Sequence, residues 1–167
     1  MSGDPQEIRF GTIEGQLYLG FRGAATHRAS STADKIVAQF LGVGPSAPTV
    51  VLDLADCGWI DSTFAGWMIR MQKQLALHGG KLIVSRCQEG CRSSLNVMGL
   101  LPLFELRTVA VPSTLARLVC PEEEMDAATI EFLAAAHESL GAASQTNGAM
   151  FTRIAEQLRR ELRERKG

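Results

Sequence analysis

The stretch VVLDLADCGWIDST at residues 50–63 decides the fold, together with the helical run at 64–77 that follows it. Residues 50–54 form a compact apolar run, which is typical of a buried strand in a sheet that helices cover. The Asp-Cys-Gly at 56–58 is expected to end that strand. Beyond it, large apolar residues recur at intervals of three and four: Phe64, Trp67, Met68, Met71 and Leu75. This spacing predicts an amphipathic helix, which His-Gly-Gly at 78–80 ends.

Asp61, Ser62 and Thr63 lie where this helix is predicted to begin. All three residue types cap helix N-termini, because their side-chain oxygens accept hydrogen bonds from backbone N–H groups that lack intrahelical partners. A helix N-terminus also stabilises anions, so a phosphate on Ser62 would meet free N–H groups and a favourable dipole. Such a modification would place about −1.5 to −2 charges beside Asp61 and change what this surface docks against.

The segment DLADCGWIDSTFAG at residues 53–66 resembles the signature of STAS domains, the anti-sigma-factor antagonists and their relatives, in which Asp-Ser-Ser/Thr-Gly opens a helix. A second stretch, MGLLPLFEL at 98–106, is similar to the Gly-Leu-x-x-Leu-Phe segment that leads into the family's last strand. Where the family usually has Gly after the Ser/Thr pair, this chain has Phe64, and Gly66 follows two positions on. Phe64 either points into the core or presents an aromatic contact, and the sequence leaves both open.

The order of elements along the chain predicts an α/β fold with a mixed sheet. Two N-terminal strands at 8–12 and 16–21 form a hairpin, and strands then alternate with helices, which implies a parallel part with right-handed crossovers. Residues 106–111 are expected to be the last strand. Ser113 is a plausible N-cap for one more helix, with Leu115, Leu118 and Val119 facing inward. The resemblance implies the same STAS-like sheet, with helices packed mainly on one face.

The resemblance covers residues 1–120, which we predict to be a STAS domain, and leaves residues 121–167 as a helical extension. An Ala-rich helix at 127–140, a loop at 141–148 and an amphipathic stripe predict two additional helices. The stripe consists of Phe151, Ile154, Leu158 and Leu162. It must be buried by folding back onto the domain, by pairing with a second chain in a homodimer, or by a partner.

Composition excludes several classes of function. Charged residues make up 21% of the 167 residues and the net charge is −1, which gives no case for nucleic-acid binding. The N-terminus lacks a signal-peptide layout and no apolar run approaches membrane-spanning length, so a cytoplasmic protein without membrane insertion is predicted. The four cysteines suit neither a disulfide scaffold nor a paired zinc motif, so no metal or cofactor is predicted.

Catalytic chemistry finds little support in the sequence. An enzyme needs converging acid, base, nucleophile or metal groups, and His27, His78 and His137 show no metal-ligand spacing. An enzyme using Cys57 or Ser62 as its nucleophile lacks a nearby basic partner. We therefore predict no catalytic residue.

The resemblance implies a regulatory, partner-switching protein of bacterial transcription control, an anti-sigma-factor antagonist. Its partner would be an anti-sigma factor that is a serine kinase of the histidine-kinase-like ATPase type, bound when Ser62 is free and released when Ser62 is phosphorylated. The expected partner-binding residues are Asp61, Thr63, Phe64, Asp56 and Gly58. The alternative keeps the fold without the phospho-switch and makes the chain a STAS adaptor subunit that docks on a transporter ATPase.

Overall fold

A central strand and its neighbours form one six-stranded mixed sheet in the computed structural model, which describes residues 5–167. The elements in chain order are β1 (Glu7–Ile13), β2 (Gln16–Ala25), α1 (His27–Gly42), β3 (Thr49–Ile60), α2 (Ser62–Leu77), β4 (Lys81–Ser85), α3 (Glu89–Val97), β5 (Glu105–Arg107), β6 (Ala116–Val119), α4 (Ala127–Ala143) and α5 (Gly148–Lys166). The strand order is β5-β4-β3-β2-β1-β6. Strands β2 to β5 are parallel and β1 is antiparallel to both of its neighbours, which confirms the predicted mixed sheet with a parallel part.

Helices cover one face of this sheet. Alternate residues on the central strands point into the core beneath α1 and α2: Leu17, Leu19 and Phe21 on β2, Val50, Leu52 and Leu54 on β3, and Leu82 and Val84 on β4. The intervening residues face the other side, where residues 108–115 cross the sheet. The amide of Val109 donates a hydrogen bond to Ser85 Oγ at 2.9 Å there. The expectation of helices mainly on one face is therefore confirmed.

Strand β3 is longer than predicted. Residues 56–58 do not end it, and it continues to Ile60. Its pairing with β2 shifts register twice, between Gly20 and Arg22 and between Gly23 and Ala24. Such bulges accommodate extra residues in one strand, and Cys57 and Ile60 consequently return to the buried side while Asp56 is exposed.

The segment after β5 also differs from the prediction. The predicted last strand at 106–111 is reduced to Glu105–Arg107. The helix expected after Ser113 is wrong, because residues 116–119 form β6 and pair with β1. Pairing satisfies the backbone groups that would otherwise stand free along the edge of β1, and this outweighs the helical spacing of the apolar residues. Leu118 and Val119 are accordingly exposed instead of facing inward.

The last two helices form an α4–α5 unit, which we call the C-terminal hairpin (residues 127–166). It confirms the two predicted additional helices, joined by a loop at 144–147 that is shorter than expected. Leu140 and Phe151 belong to the main core, so the stripe folds back onto its own chain. The division of the chain at residue 120 and a homodimer through these helices stay predictions. No helix among residues 5–167 is long and apolar enough to cross a membrane.

Candidate functional site

Asp61 and Ser62 lie where the N-termini of two helices meet. Ser62 is the first residue of α2, and Asp61 is its N-cap. One carboxylate oxygen of Asp61 accepts a hydrogen bond from the Phe64 amide at 2.8 Å, and the other accepts one from the His27 amide, at the start of α1, at 3.2 Å. Burial raises the pKa of the Asp61 carboxyl, and these two hydrogen bonds act in the opposite direction. One carboxylate thus links α1 to α2 directly beside Ser62.

The Ser62 hydroxyl contacts a histidine of the C-terminal hairpin. Its Oγ lies 3.1 Å from Nε2 of His137, a residue on α4 that is only 6% exposed. Nδ1 of the same ring lies 2.8 Å from the carbonyl oxygen of Leu133. A carbonyl only accepts hydrogen bonds, so in the neutral ring Nδ1 carries the proton and Nε2 is the acceptor. The Ser62 hydroxyl therefore donates a hydrogen bond to Nε2 of His137.

This pair corrects one argument made from the sequence. A basic partner does lie beside Ser62, and the statement that Ser62 lacks one is wrong. The arrangement nevertheless differs from a nucleophile and base set up for acyl transfer, because a backbone carbonyl, and no carboxylate, orients His137. None of the five principal cavities found in residues 5–167 has Ser62 or His137 on its lining. The pair is a hydrogen bond between two packed helices.

The residues after Ser62 are buried. Thr63 is 5% exposed, and Phe64 is fully buried between Phe21 and Trp67, with ring centroids 4.9 Å and 5.2 Å away. Of the two alternatives left open for Phe64, the structure shows the core one. Gly66 lies where α4 crosses α2, because a Cβ added there would stand 2.1 Å from the carbonyl oxygen of Ala136. Gly66 lies two positions after the position at which the family usually has glycine. Because it has no side chain, the backbone of α4 can approach α2 there.

Asp56 and Gly58 lie away from the Ser62 hydroxyl. Asp56 lines a cavity of about 150 Å³ on the sheet face opposite the helices, together with Asp53 and Arg86, which form an ion pair at 2.6 Å. Gly58 packs against α3, since a Cβ on Gly90 would stand 1.9 Å from the Gly58 carbonyl oxygen. Of the predicted partner-binding set, the structure brings Asp61, Thr63 and Phe64 together with Ser62, and it places Asp56 and Gly58 elsewhere. Their roles in binding stay predictions.

Sequence reasoning missed two residues of this region. Trp59 is 51% exposed at the end of β3, two residues before Asp61. The sequence feature that could have pointed to Trp59 is a large aromatic residue close before the capping motif at Asp61. His137 lies 75 residues from Ser62 and gave no local signal. Among the described residues, no group of three His, Cys, Asp or Glu side chains is arranged to hold a metal ion.

The STAS domain family model matches residues 12–114. The chain belongs to the STAS domain family. A search of the curated proteins finds no match to the sequence. This STAS protein resembles two solved structures, which cover 60% and 59% of its length.

The first is the anti-sigma factor antagonist SpoIIAA in its unphosphorylated form, with a TM-score of 0.54, 16% identity and 88% of that chain covered. The second is the putative anti-sigma factor antagonist TM1081 from Thermotoga maritima, with a TM-score of 0.51, 18% identity and 84% of that chain covered. At these identities the likeness concerns the fold.

Proposed function

We propose that this STAS protein is an anti-sigma-factor antagonist that changes partners when a serine kinase of the histidine-kinase-like ATPase type phosphorylates Ser62. It acts as a kinase substrate in the cytoplasm and not as a catalyst. The observation that carries the proposal is the position of Ser62 as the first residue of α2, immediately after the Asp61 cap. The fold it shares with SpoIIAA, an anti-sigma factor antagonist, supports it.

The electrostatics of this position suit a charge switch. The first intrahelical hydrogen bond of α2 runs from the Ala65 amide to the Asp61 carbonyl at 3.1 Å, so the amides of Ser62 and Thr63 have no intrahelical partner. A phosphate on Ser62 gains from these amides and from the helix dipole, which keeps α2 itself intact. Beside Asp61 it also concentrates negative charge on the surface, and an acidic or apolar partner contact then becomes unfavourable.

Trp59 extends the proposed docking surface. Its exposed side chain lies at the end of β3, on the chain segment that leads directly into Asp61 and Ser62. Exposed tryptophans often anchor protein interfaces, because they bury a large apolar area at a small cost in conformational entropy. A partner that recognises the unphosphorylated start of α2 therefore has an aromatic anchor within reach.

The experiment is a reconstitution with a purified serine kinase of this type from the same genome. The full-length chain is incubated with the kinase and ATP, and phosphate is located by site-resolved mass spectrometry. We expect phosphate on Ser62, none on the Ser62→Ala variant, and normal labelling of the Ser93→Ala control, whose serine is exposed on α3. In a binding assay Ser62→Ala should stay bound after ATP addition, and Ser62→Asp should bind weakly from the start.

The same assay distinguishes the proposed switch from the alternative function, an adaptor subunit that docks on a transporter ATPase. If Ser62 stays unmodified and all variants bind the kinase alike, the proposed switch is wrong. Copurification with a transporter ATPase, unchanged by Ser62→Asp, would then identify the chain as an adaptor subunit. Phosphate on Ser62 in cells that varies with growth condition would support the switch independently of any one purified kinase.

A further inference from the structure

We propose that the C-terminal hairpin is an intramolecular occupant of the α2 face beside Ser62, and that a phosphoryl group on Ser62 displaces it. The inference rests on the proposed function for the source of the phosphoryl group, whereas the coupling between Ser62 and the hairpin is argued from the structure alone. The hairpin would leave the domain when Ser62 is modified and uncover α2 for a second partner, different from the kinase that binds the unmodified protein.

The burial pattern of α2 shows that its first half is covered by more than the sheet. Residues 63–69 are buried without interruption, whereas in the second half only Met71 and Leu75 are buried. A helix packed on one surface buries a single stripe, as the second half of α2 does. The sheet covers that stripe along the whole helix. Over the first half, α1 adds a contact through Trp67, whose Nε1 donates to Asp34 Oδ1 at 3.0 Å. The other added cover is α4, which crosses α2 at backbone distance at Gly66.

Contacts along the crossing tie α4 to the start of α2. The Ser62–His137 hydrogen bond lies one turn before the Gly66 crossing, and one turn after it the guanidinium of Arg70 lies 5.9 Å from the ring centroid of Phe132 on α4. At the other end of the hairpin, Ser144 Oγ donates to the carbonyl oxygen of Met98 at 2.7 Å. The hairpin is therefore docked by an apolar crossing, with Leu140 and Phe151 in the main core, and by polar contacts on either side of it.

The hairpin is built to move as one piece. Arg159 on α5 is paired with both Glu138 and Glu131 on α4, so ion pairs within the hairpin hold its two helices together. The chain enters it through residues 121–126, five of which are exposed. Exposed connecting segments with few contacts are the usual positions of hinges. Release therefore breaks the contacts to α2 and α3 and leaves the hairpin's own pairing in place.

Phosphorylation removes the donor in the Ser62–His137 hydrogen bond. The serine Oγ forms a bond to the γ-phosphorus of ATP, the bond to the β-phosphate oxygen breaks, ADP leaves, and the hydroxyl proton is released to water. The ester oxygen that remains carries no proton, so it cannot donate to Nε2 of His137. The buried acceptor then loses its partner, which is unfavourable, and the phosphoryl oxygens occupy space next to a contact that is only 3.1 Å long.

Coupling between two equilibria is reciprocal. If a phosphoryl group on Ser62 weakens hairpin docking, the docked hairpin lowers the equilibrium constant for phosphoryl transfer to Ser62 by the same factor. A partner that competes with the hairpin must offer an apolar helix with small residues, because Gly66 admits a backbone at this crossing and little else. The hairpin would thus set the threshold for both phosphorylation and partner binding.

The direct test needs no kinase. Phosphoserine is incorporated site-specifically at position 62 of the full-length chain, and at position 93 as the matched control. Hydrogen exchange measured by mass spectrometry then compares amides in 127–166 with those in β2 and β3. We expect hairpin protection to fall about tenfold with phosphoserine at 62, and sheet protection to stay unchanged. Unchanged or increased hairpin protection would overturn the proposal, and an increase would mean that the phosphoryl group holds the hairpin instead of releasing it.

Two substitutions test the contacts separately. Gly66→Ala places a methyl group 2.1 Å from the Ala136 carbonyl and should release the hairpin, whereas Gly42→Ala, at the end of α1, adds a methyl group in open space. Ser62→Ala should lower hairpin protection about fivefold in the native chain, and should have no effect in a His137→Leu background. An equal effect of Ser62→Ala in both backgrounds would show that His137 does not carry the coupling. A hairpin that Gly66→Ala leaves fully protected would contradict the tight crossing.

Failure of this inference and failure of the proposed function are distinguishable. Phosphate on Ser62 in cells, with a hairpin that stays docked, would leave the switch in place and remove the hairpin from it. The opposite outcome is a hairpin that synthetic phosphoserine releases in a protein that its kinase never modifies. It would support the coupling between Ser62 and the hairpin and contradict the proposed switch.

Discussion

Replacement of Phe64 decides whether this ring is a core residue or a partner contact. The side chain has no exposed surface, and its ring meets Phe21 edge-to-face at 4.9 Å and Trp67 at 5.2 Å. Phe64→Ala removes a buried phenyl ring and leaves a cavity, which typically costs about 3–5 kcal/mol in the free energy of unfolding. Part of that loss is the two aromatic contacts, each worth about 0.5–1.5 kcal/mol. Domains have total stabilities of about 5–15 kcal/mol, so this loss is a large fraction of the free energy of unfolding.

The assay is urea denaturation followed by far-UV circular dichroism and tryptophan fluorescence. Trp67 is fully buried against Phe64, so its emission reports on the same region. Phe64→Leu keeps most of the buried volume and should cost less than Phe64→Ala. Trp59→Ala is the matched surface control, because this aromatic side chain is 51% exposed, and it should change stability by less than about 0.5 kcal/mol.

A partner contact at Phe64 would show a different result: a small change in stability together with weaker partner binding. If Phe64→Ala lowers the free energy of unfolding by less than about 1 kcal/mol but reduces partner binding, the ring lies on the partner surface. The packing described between β2 and α2 would then be wrong.

Further predictions concern the cap, the bulged strand and the exposed tryptophan. Asp61→Asn keeps an oxygen that accepts from the Phe64 amide but loses the acceptor for the His27 amide. It should therefore lower stability less than Asp61→Ala, which should cost about 1–2 kcal/mol in urea denaturation. The pKa of Asp61 is raised by burial in the folded state, so folding binds protons and stability falls as the pH rises from the unfolded pKa, about 3.9, through the raised value. Comparing denaturation of the native chain and Asp61→Asn at several pH values should isolate this slope, and parallel curves would contradict it. Gly90→Ala puts a methyl group 1.9 Å from the Gly58 carbonyl and should cost about 1–3 kcal/mol, against no measurable cost for Gly58→Ala, which faces open space. Trp59→Ala should weaken binding to the reconstituted kinase by at least about 2 kcal/mol if it anchors the partner, and equal affinity would exclude that role.

Local sequence signals predicted the elements that depend on local physics. The apolar run at 50–54 and the spacing of Phe64, Trp67 and Met71 predicted β3 and α2, and Asp61 caps that helix in the structure. These signals work because a strand buries alternate residues and a helix buries a stripe, whatever lies beyond them. The same signals failed at residues 115–119. The spacing of the apolar residues there favours a helix, but the segment can instead pair with the free edge of β1. Only the tertiary position of β1 shows that this edge is available.

What the sequence determined by itself is the STAS fold, the helix N-terminus at Ser62 and the existence of two further helices. Only the tertiary structure decided that Phe64 is core, that Gly66 admits α4, and that His137 accepts the Ser62 hydroxyl across 75 residues of chain. Caps and periodicity are encoded within a few residues and can be read one segment at a time. The docking of α4 depends on matching two distant surfaces, and no single segment carries the information that they match.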